Sequence, residues 1–278
     1  MKTWFITGVS RGLGQALAQA ALDRGDTVIG TVRSGAAPLA AGQGALHVLQ
    51  LEMTDAAAIA ATVDEAFRLA GGRLDVVVNN AGYGLLGATE DASDAEVERL
   101  FAVDVLGPFR VLRAALPRLR AQGAGHIINI TSIAGRAPNA GSGLYAAAKH
   151  ALEGLSASLA QELQPFGLKV TAVAPGAFRT DFLSDHSIRR SARRAPGYEA
   201  SVGQAQARFD EMAGRQIGDP VRAAHALLAL VDANEPPMQL LLGSDALRRA
   251  REKLSTTIAE IDQWQAVTES TDFPGDRV

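Results

Sequence analysis

The chain has no cysteine among its 278 residues, which excludes disulfide bonds and thiolate chemistry. No stretch reaches the ~18 consecutive apolar residues that would predict a transmembrane helix. The formal net charge of −3 provides no general field for binding nucleic acid. His47, His126, His150 and His225 lack the spacing of metal ligands, and no Asp/Glu cluster indicates a metal. We therefore expect no nucleic-acid, membrane or metal partner. We also expect a cytoplasmic protein, since the first ten residues already form a strand and a turn and leave no room for a signal peptide.

Alternating strand and helix patterns predict one α/β domain over residues 1–278. Hydrophobic residues make up 47% of the chain, enough for a sizeable core. Short apolar runs between helical stretches are typical of a parallel sheet buried on both faces. Asp55 can cap one helix, and Ser93-Asp94-Ala95-Glu96 has the pattern of a capping box. Pro108 and Pro117 are expected to bend or interrupt the helical region that follows. The predicted strands are Thr3–Thr7, Thr27–Val32, Leu46–Leu51, Leu74–Asn79, His126–Thr131, Lys169–Ala174 and Met238–Leu242.

A glycine-rich segment follows the first predicted strand and opens a helical pattern. Its sequence is Thr7-Gly8-Val9-Ser10-Arg11-Gly12-Leu13-Gly14. A strand, a glycine-rich turn and a helix N-terminus together bring backbone N–H groups up to a phosphate. The G-x-x-x-G-x-G spacing differs from the common G-x-G-x-x-G dinucleotide pattern. The alternative is a plain glycine-rich turn.

Tyr145 and Lys149 stand four residues apart across three alanines, which favour helix. Positions i and i+4 share one helix face, so the ammonium can lie near the phenol. A neighbouring cation favours the phenolate and lowers the tyrosine pKa from its usual ~10, which would allow proton transfer at neutral pH. The alternative is a surface tyrosine beside a solvated lysine.

Five motifs occur in order along the chain. They are Thr7-Gly8-x-x-x-Gly12-x-Gly14, Asn79-Asn80-Ala81-Gly82, Ser132 thirteen residues before Tyr145, Tyr145-x-x-x-Lys149, and Pro175-Gly176 followed by Thr180. Together they resemble the short-chain dehydrogenase/reductase family over residues 2 to 180. The resemblance implies a single doubly wound, Rossmann-like α/β domain with a parallel sheet of about seven strands. It also implies a substrate lid after the sixth strand, at 177–215.

The resemblance further implies reversible hydride transfer between a nicotinamide and the carbonyl or secondary alcohol of a small molecule. Tyr145 is expected to exchange the proton, Ser132 to hydrogen-bond the same oxygen, and Lys149 also to hold the nicotinamide ribose. Asn80 is expected at the cofactor ribose and Thr180 at the nicotinamide carboxamide. The full set expected to bind cofactor is Gly8, Ser10, Arg11, Gly12, Leu13, Gly14, Arg33, Glu52, Asn80, Ala81, Gly82, Tyr145, Lys149, Pro175, Gly176 and Thr180.

The end of the second strand bears on the choice of cofactor. An NAD site usually offers a carboxylate there for the ribose 2′-hydroxyl. This chain has Thr31-Val32-Arg33-Ser34 instead. Arg33, with Arg11 in the glycine turn as a second candidate, can bind a 2′-phosphate. We therefore expect NADP(H), with NAD(H) as the alternative if both arginines are solvated surface charges. Glu52 aligns with the family's usual aspartate near the adenine.

One residue departs from the family pattern. Where the family commonly has asparagine in N-V-x-G, this chain has Asp104 in Val103-Asp104-Val105-Leu106-Gly107. The asparagine is associated with a water relay behind the lysine, partly through its backbone carbonyl. A backbone role survives the change, whereas a side-chain amide role does not. A carboxylate could instead add charge near Lys149, or Asp104 could be a capping or core-facing polar residue.

The sequence contains few features that indicate the identity of the substrate. Segment 177–215 contains seven large apolar residues, which make an apolar pocket plausible: Phe178, Phe182, Leu183, Ile188, Tyr198, Phe209 and Met212. Its paired arginines, Arg189-Arg190 and Arg193-Arg194, could attract an acidic substrate, but a solvated face is the favoured interpretation. His186 could contact substrate or be structural. We expect 264–278 to be a C-terminal tail and the protein to be a homodimer or homotetramer. A non-catalytic NADP-binding redox sensor and an epimerase or dehydratase are the alternative functions.

Overall fold

A seven-stranded parallel sheet runs through the computed structural model, which describes residues 1–183 and 187–273. The sheet contains β1 (Thr3–Ile6), β2 (Thr27–Val32), β3 (Ala45–Gln50), β4 (Val76–Asn79), β6 (Gly125–Ile130), β7 (Leu168–Pro175) and β9 (Gln239–Leu242). Its order is β3-β2-β1-β4-β6-β7-β9. The seven predicted strands all lie in this sheet, with ends within two residues of the observed ones. The expected doubly wound α/β fold is therefore confirmed.

Helices cover both faces of the sheet. Strand β1 is therefore buried on both faces, which explains its continuous run of apolar residues. The helices are α1 (Gly12–Asp23), α2 (Ala56–Leu69), α3 (Asp94–Phe101), α4 (Gly107–Gln122), α5 (Gly143–Leu163), α6 (Gln204–Met212), α7 (Pro220–Asp232) and α8 (Ser244–Glu269). Trp4 and Ile6 join the core formed with α1 and α7. Phe5, between them, joins the core formed with α2, α4 and α5. A strand buried on both faces needs apolar residues at every position.

The strand order places the site. β2 and β4 flank β1 on opposite sides, so a crevice opens at the carboxyl ends of β1 and β4. The residues that follow the strands meet there: Thr7-Gly8 after β1, Arg33 after β2, Asn80 after β4 and Ser132 after β6. The fold thus collects motifs that are far apart in the chain.

Local signals fix several helix ends. Asp55 caps α2 by accepting hydrogen bonds from the N–H groups of Ala57 and Ala58, both at 2.9 Å. Ser93 and Glu96 form the predicted capping box at the start of α3. Pro108 lies in the first turn of α4, whereas Pro117 lies inside this helix and does not interrupt it. Of the bend or interruption expected at Pro117, the interruption is wrong, because α4 continues to Gln122 and is ended by Gly123 with a left-handed φ of +70°.

The segment after β7 carries its own secondary structure. β8 (Ile188–Arg190) pairs in parallel with β5 (Gly84–Leu86), and α6 follows. His186 lies outside the described residues. α8 extends to Glu269, so the first residues of the segment expected to be a tail are helical. Among the helices of the described ranges, none is long and apolar enough to cross a membrane.

Candidate active site

The glycine turn is closely packed against Asn80. Gly8 and Gly12 adopt positive φ angles of +76° and +64°. A Cβ on Gly14 would lie 2.2 Å from the Asn80 side-chain nitrogen, so no larger residue fits. That nitrogen donates hydrogen bonds to the carbonyl oxygens of Thr7 at 2.9 Å and Gly8 at 2.8 Å. The Asn80 amide therefore braces the turn, in addition to any contact with a ribose.

The same turn leads into α1, whose first N–H groups have no intrahelical acceptor. Ser10, Arg11 and Leu13 line the cleft at this helix end together with Gly8 and Gly12. Backbone donors and the helix dipole at this position favour a phosphate.

The end of β2 contributes a cation to this cleft. Arg33 is exposed and lines it, after the buried residues Thr31 and Val32. Glu52, which follows β3, also lines the cleft. Its carboxylate lies 3.6 Å from Arg99 and accepts a hydrogen bond from the Thr54 N–H at 3.2 Å. Glu52 is thus partly neutralised by Arg99, which the sequence did not single out.

Ser132, Tyr145 and Lys149 come together on the other side of the crevice. Tyr145 and Lys149 are both buried on α5, with the lysine Nζ 5.7 Å from the tyrosine ring centroid. Ser132 begins the short turn after β6, accepts a hydrogen bond from the Ala134 N–H at 3.1 Å and hydrogen-bonds Tyr145. Lys149 Nζ donates to the Ile130 carbonyl at 3.3 Å. The cluster and the glycine turn line one cleft of about 1240 Å³.

Asp104 contacts Lys149 directly. It lies in a π-helical turn (Ala102–Leu106) between α3 and α4 and is fully buried. Its Oδ2 is 3.1 Å from Lys149 Nζ, and its Oδ1 accepts a hydrogen bond from the Tyr83 N–H at 3.1 Å. A Cβ on Gly82 would lie 2.9 Å from the Asp104 carboxylate, so glycine is needed beside the pair. Of the alternatives for Asp104, the structure shows a core-facing side chain whose carboxyl group lies next to Lys149.

Burial changes the expected protonation of the cluster. Burial raises the pKa of Tyr145 above its usual value; Lys149 and Ser132 lower it, and Asp104 raises it further. The expectation of a lowered tyrosine pKa is therefore wrong for the protein alone, because desolvation outweighs the lysine. Burial lowers the pKa of Lys149, but Asp104 and Tyr145 favour the ammonium and leave it raised. Burial also raises the pKa of Asp104, against the opposing effect of Lys149. At neutral pH the phenol is thus protonated and lies beside an ammonium.

The segment after β7 lines another part of the cleft. Thr180 lies beside the glycine turn, since a Cβ on Gly12 would be 3.9 Å from the Thr180 Cβ. Gly176 packs against Asp245 of α8, whose carboxylate accepts a hydrogen bond from the Ala177 N–H at 2.8 Å. Sequence reasoning missed Asp245, because nothing local marks an aspartate in a helix's first turn as a partner of a distant loop.

The cleft is apolar near Tyr145 and basic at its rim. The Phe182 ring lies 6.0 Å from the Tyr145 ring. The other apolar lining includes Leu86, Phe178, Ile188, Phe209 and Met212. Arg189 lines the cleft and covers the Tyr83 ring at 5.4 Å, whereas Arg190 pairs with Asp210 and Arg193 and Arg194 are exposed. Arg208, Arg215, Arg248, Arg249 and Lys253 complete the rim. Within the described ranges, no group of three His, Cys, Asp or Glu side chains could hold a metal.

Comparison with known proteins agrees with this geometry. Residues 2–190 match the model of the short chain dehydrogenase family. The chain is 35% identical over 271 residues to Oxidoreductase BOA17 of Botryotinia fuckeliana, covering 96% of this chain and 98% of that protein. It also resembles a crystal structure of a short-chain dehydrogenase from Streptomyces avermitilis, with a TM-score of 0.90, 38% identity, and 98% and 100% of the two chains covered. A metagenomic short-chain oxidoreductase in complex with NADP has a TM-score of 0.68 and 30% identity, covering 87% of this chain and 96% of that chain. The chain therefore belongs to the short-chain dehydrogenase/reductase family of NAD(P)-dependent oxidoreductases, which act on CH–OH and C=O groups.

Proposed function

We propose that the protein reduces the carbonyl group of an apolar small molecule with NADPH, in a reversible hydride transfer. The observation that carries the proposal is the meeting of Ser132, Tyr145 and Lys149 in the cleft that also holds the glycine turn. Each of these side chains, and the glycine turn, also occurs alone in proteins with other functions. Their convergence supplies a proton donor, a hydrogen-bond donor, a buried cation and a phosphate-binding turn around one space.

The turn fits a dinucleotide. Gly8 and Gly12 adopt the positive φ angles of a tight turn, and the first residues of α1, Gly12 and Leu13, line the cleft with the helix N-terminus. Arg33 supports NADP(H) over NAD(H), since its guanidinium can pair bidentately with a 2′-phosphate where an NAD site offers a carboxylate. Arg11 lines the same region. The NADP-bound metagenomic relative supports the same cofactor class.

Side chains of the protein supply the proton and stabilise the charges that the reaction creates. When bound, the nicotinamide supplies the hydride to the carbonyl carbon. The Tyr145 phenol gives its proton to the carbonyl oxygen, and Ser132 donates a hydrogen bond to the same oxygen. Lys149 stabilises the phenolate that remains. Burial raises the pKa of Tyr145 further above neutral, so the phenol carries the proton that carbonyl reduction requires.

The apolar walls around Tyr145 support an apolar substrate. Phe182 lies against the tyrosine ring, and Phe209 and Met212 of α6 line the same cleft. These residues come from segment 177–215, which we propose to be the substrate lid. Closing apolar side chains over the carbonyl would exclude water and strengthen the hydrogen bonds from Ser132 and Tyr145.

A steady-state screen of NADPH oxidation tests the function. Aldehydes, ketones, quinones and steroids should be compared, with NADH run in parallel. We expect turnover with at least one apolar carbonyl, and a higher kcat/KM for NADPH than for NADH. Tight NADPH binding without turnover of any carbonyl would support the redox-sensor alternative, for which the carboxylate of Asp104 is the one unusual feature. Conversion of a substrate without net NADPH consumption would instead indicate an epimerase or dehydratase.

A further inference from the structure

The second half of α8 is an exposed amphipathic helix. From Arg251 to Glu269 every residue is exposed except Thr257, which is partly buried. Leu247, Leu254, Ile258, Ile261 and Trp264 lie within about 120° of the helix circumference, at 100° per residue. We call these five residues the α8 stripe. They are 42%, 61%, 58%, 63% and 60% exposed, in that order. An exposed apolar stripe of this length on a projecting helix marks an interaction surface.

The two halves of α8 carry opposite net charges. Residues 244–256 contain Arg248, Arg249, Arg251 and Lys253 against Asp245 and Glu252, a net charge of +2, whereas residues 257–269 contain Glu260, Asp262 and Glu269 and no Lys or Arg, a net charge of −3. Asp245 in the first turn favours the helix dipole, but the last turn has no basic residue to do so. Halves of opposite charge suit an antiparallel partner of the same sequence.

A second copy of α8, running antiparallel, fits both features. We propose that α8 pairs with α8 of a second copy of this chain about a two-fold axis. In such a pair each flank of the stripe faces the same flank of the partner helix. Arg251 and Asp262 share one flank, and Lys253 and Glu260 share the other, by their helical angles. Both pairs are centred on one point, between Thr256 and Thr257. A single axis there sets Arg251 against Asp262 and Lys253 against Glu260 at the same time.

The apolar side chains agree with this register. Leu254 of one copy then faces the gap between Ile258 and Ile261 of the other, which is how knobs fill holes in paired helices. The antiparallel arrangement also sets the two helix dipoles in their favourable orientation. A membrane surface fits less well, because Glu260 and Asp262 flank the stripe where an interfacial helix carries lysine and arginine.

Charge exchange between two variants tests the pairing. Variant A carries Arg251→Asp and Lys253→Glu, and variant B carries Glu260→Lys and Asp262→Arg. Light scattering should show that each variant alone loses the α8 contact and has half the mass of the wild-type assembly. An equimolar mixture should regain the wild-type mass, because every cross-pair then joins opposite charges. Circular dichroism of each variant checks that α8 remains helical.

Cysteine cross-linking gives the orientation, since the wild-type chain has no cysteine. Thr257→Cys lies next to the axis and should cross-link with a short bismaleimide. Leu247→Cys is the matched control: in the antiparallel pair its two copies are about 28 Å apart along the axis, and it should not cross-link. Cross-linking at position 247, a monomeric wild type, or a wild-type mass retained by variants A and B alone would each overturn the proposal. Binding of wild-type protein to anionic vesicles, lost in Ile258→Glu, with a monomer in solution would assign the stripe to a membrane instead.

Discussion

The Asp104–Lys149 pair gives the sharpest single prediction. Asp104→Asn removes one negative charge and keeps an oxygen that can accept the Tyr83 N–H hydrogen bond. The wild-type carboxylate lies 3.1 Å from the lysine Nζ, and the two side chains are 0% and 6% exposed. Replacing the carboxylate leaves the ammonium buried with weaker partners, including the Ile130 carbonyl at 3.3 Å. We therefore expect a loss of stability together with a shifted pH profile.

The magnitude follows from the burial of the pair. At 3.1 Å the Coulomb attraction is about 5 kcal/mol for an effective dielectric constant near 20, and desolvation offsets much of it. Removing one partner of a buried pair costs about 3–5 kcal/mol. We expect about 3 kcal/mol for Asp104→Asn, which is roughly 6–10 °C in Tm for a chain of this size. Asp104→Ala also removes the acceptor for the Tyr83 N–H and should cost about 1–3 kcal/mol more.

The pH dependence of carbonyl reduction should shift in a defined direction in Asp104→Asn. Carbonyl reduction needs the Tyr145 phenol protonated, so its rate falls as the pH rises through the tyrosine pKa. Asp104 raises the pKa of Tyr145 and that of Lys149, and its removal lowers both. The high-pH fall in kcat should therefore begin at lower pH in Asp104→Asn than in wild type.

Thermal unfolding and pH–rate profiles of the two Asp104 variants measure these effects. Asp64→Asn is the matched control, because its ion pair with Arg118 is exposed and should contribute less than about 1 kcal/mol. A Tm within the range of this control, together with an unchanged pH profile, would refute a role for the Asp104 charge and leave it as scaffold.

Three further predictions concern cofactor, acid stability and substrate. Arg33→Ala should weaken NADPH binding by about 1.5–3 kcal/mol, or roughly 10- to 150-fold, and leave NADH binding unchanged in fluorescence titrations; equal wild-type affinities would contradict this. Burial lowers the pKa of His126 to about 4, so the unfolded chain binds a proton between pH ~6.5 and ~4 that the folded protein does not. The free energy of unfolding should therefore decrease as the pH is lowered through that window. The decrease should be smaller in His126→Gln, as measured by urea unfolding. Phe209→Ala with Met212→Ala should raise KM for bulky apolar ketones far more than for small aldehydes. An equal loss for both would show that α6 supports the fold and does not select substrate.

Strands and helix caps could be predicted because their causes are local. Phe5 and its neighbours are apolar at every position since both faces of β1 are buried, and that pattern is visible in the sequence. Asp55 caps its own helix within three residues. The glycine turn was likewise recognisable, but the tight contact between Gly14 of α1 and Asn80, which follows β4, depends on the fold.

The protonation of the site could not be predicted, because it depends on distant neighbours. The sequence places Lys149 beside Tyr145 but does not show the burial that outweighs the lysine and raises the phenol pKa. It marks Asp104 as a departure from the family, yet the contact with Lys149 depends on how the π-helical turn packs against α5. Asp245 supports the Gly176 loop from a helix that lies far along the chain, and no motif marks it.

The central claim is that Tyr145 is the proton donor in an NADPH-dependent carbonyl reduction. Its most direct test is single-turnover oxidation of bound NADPH by a confirmed carbonyl substrate, in wild type and in Tyr145→Phe. We expect Tyr145→Phe to bind NADPH with wild-type affinity and to lose most of the turnover, since only the phenol is removed. Near-normal turnover in Tyr145→Phe would show that another group supplies the proton and would contradict the assignment.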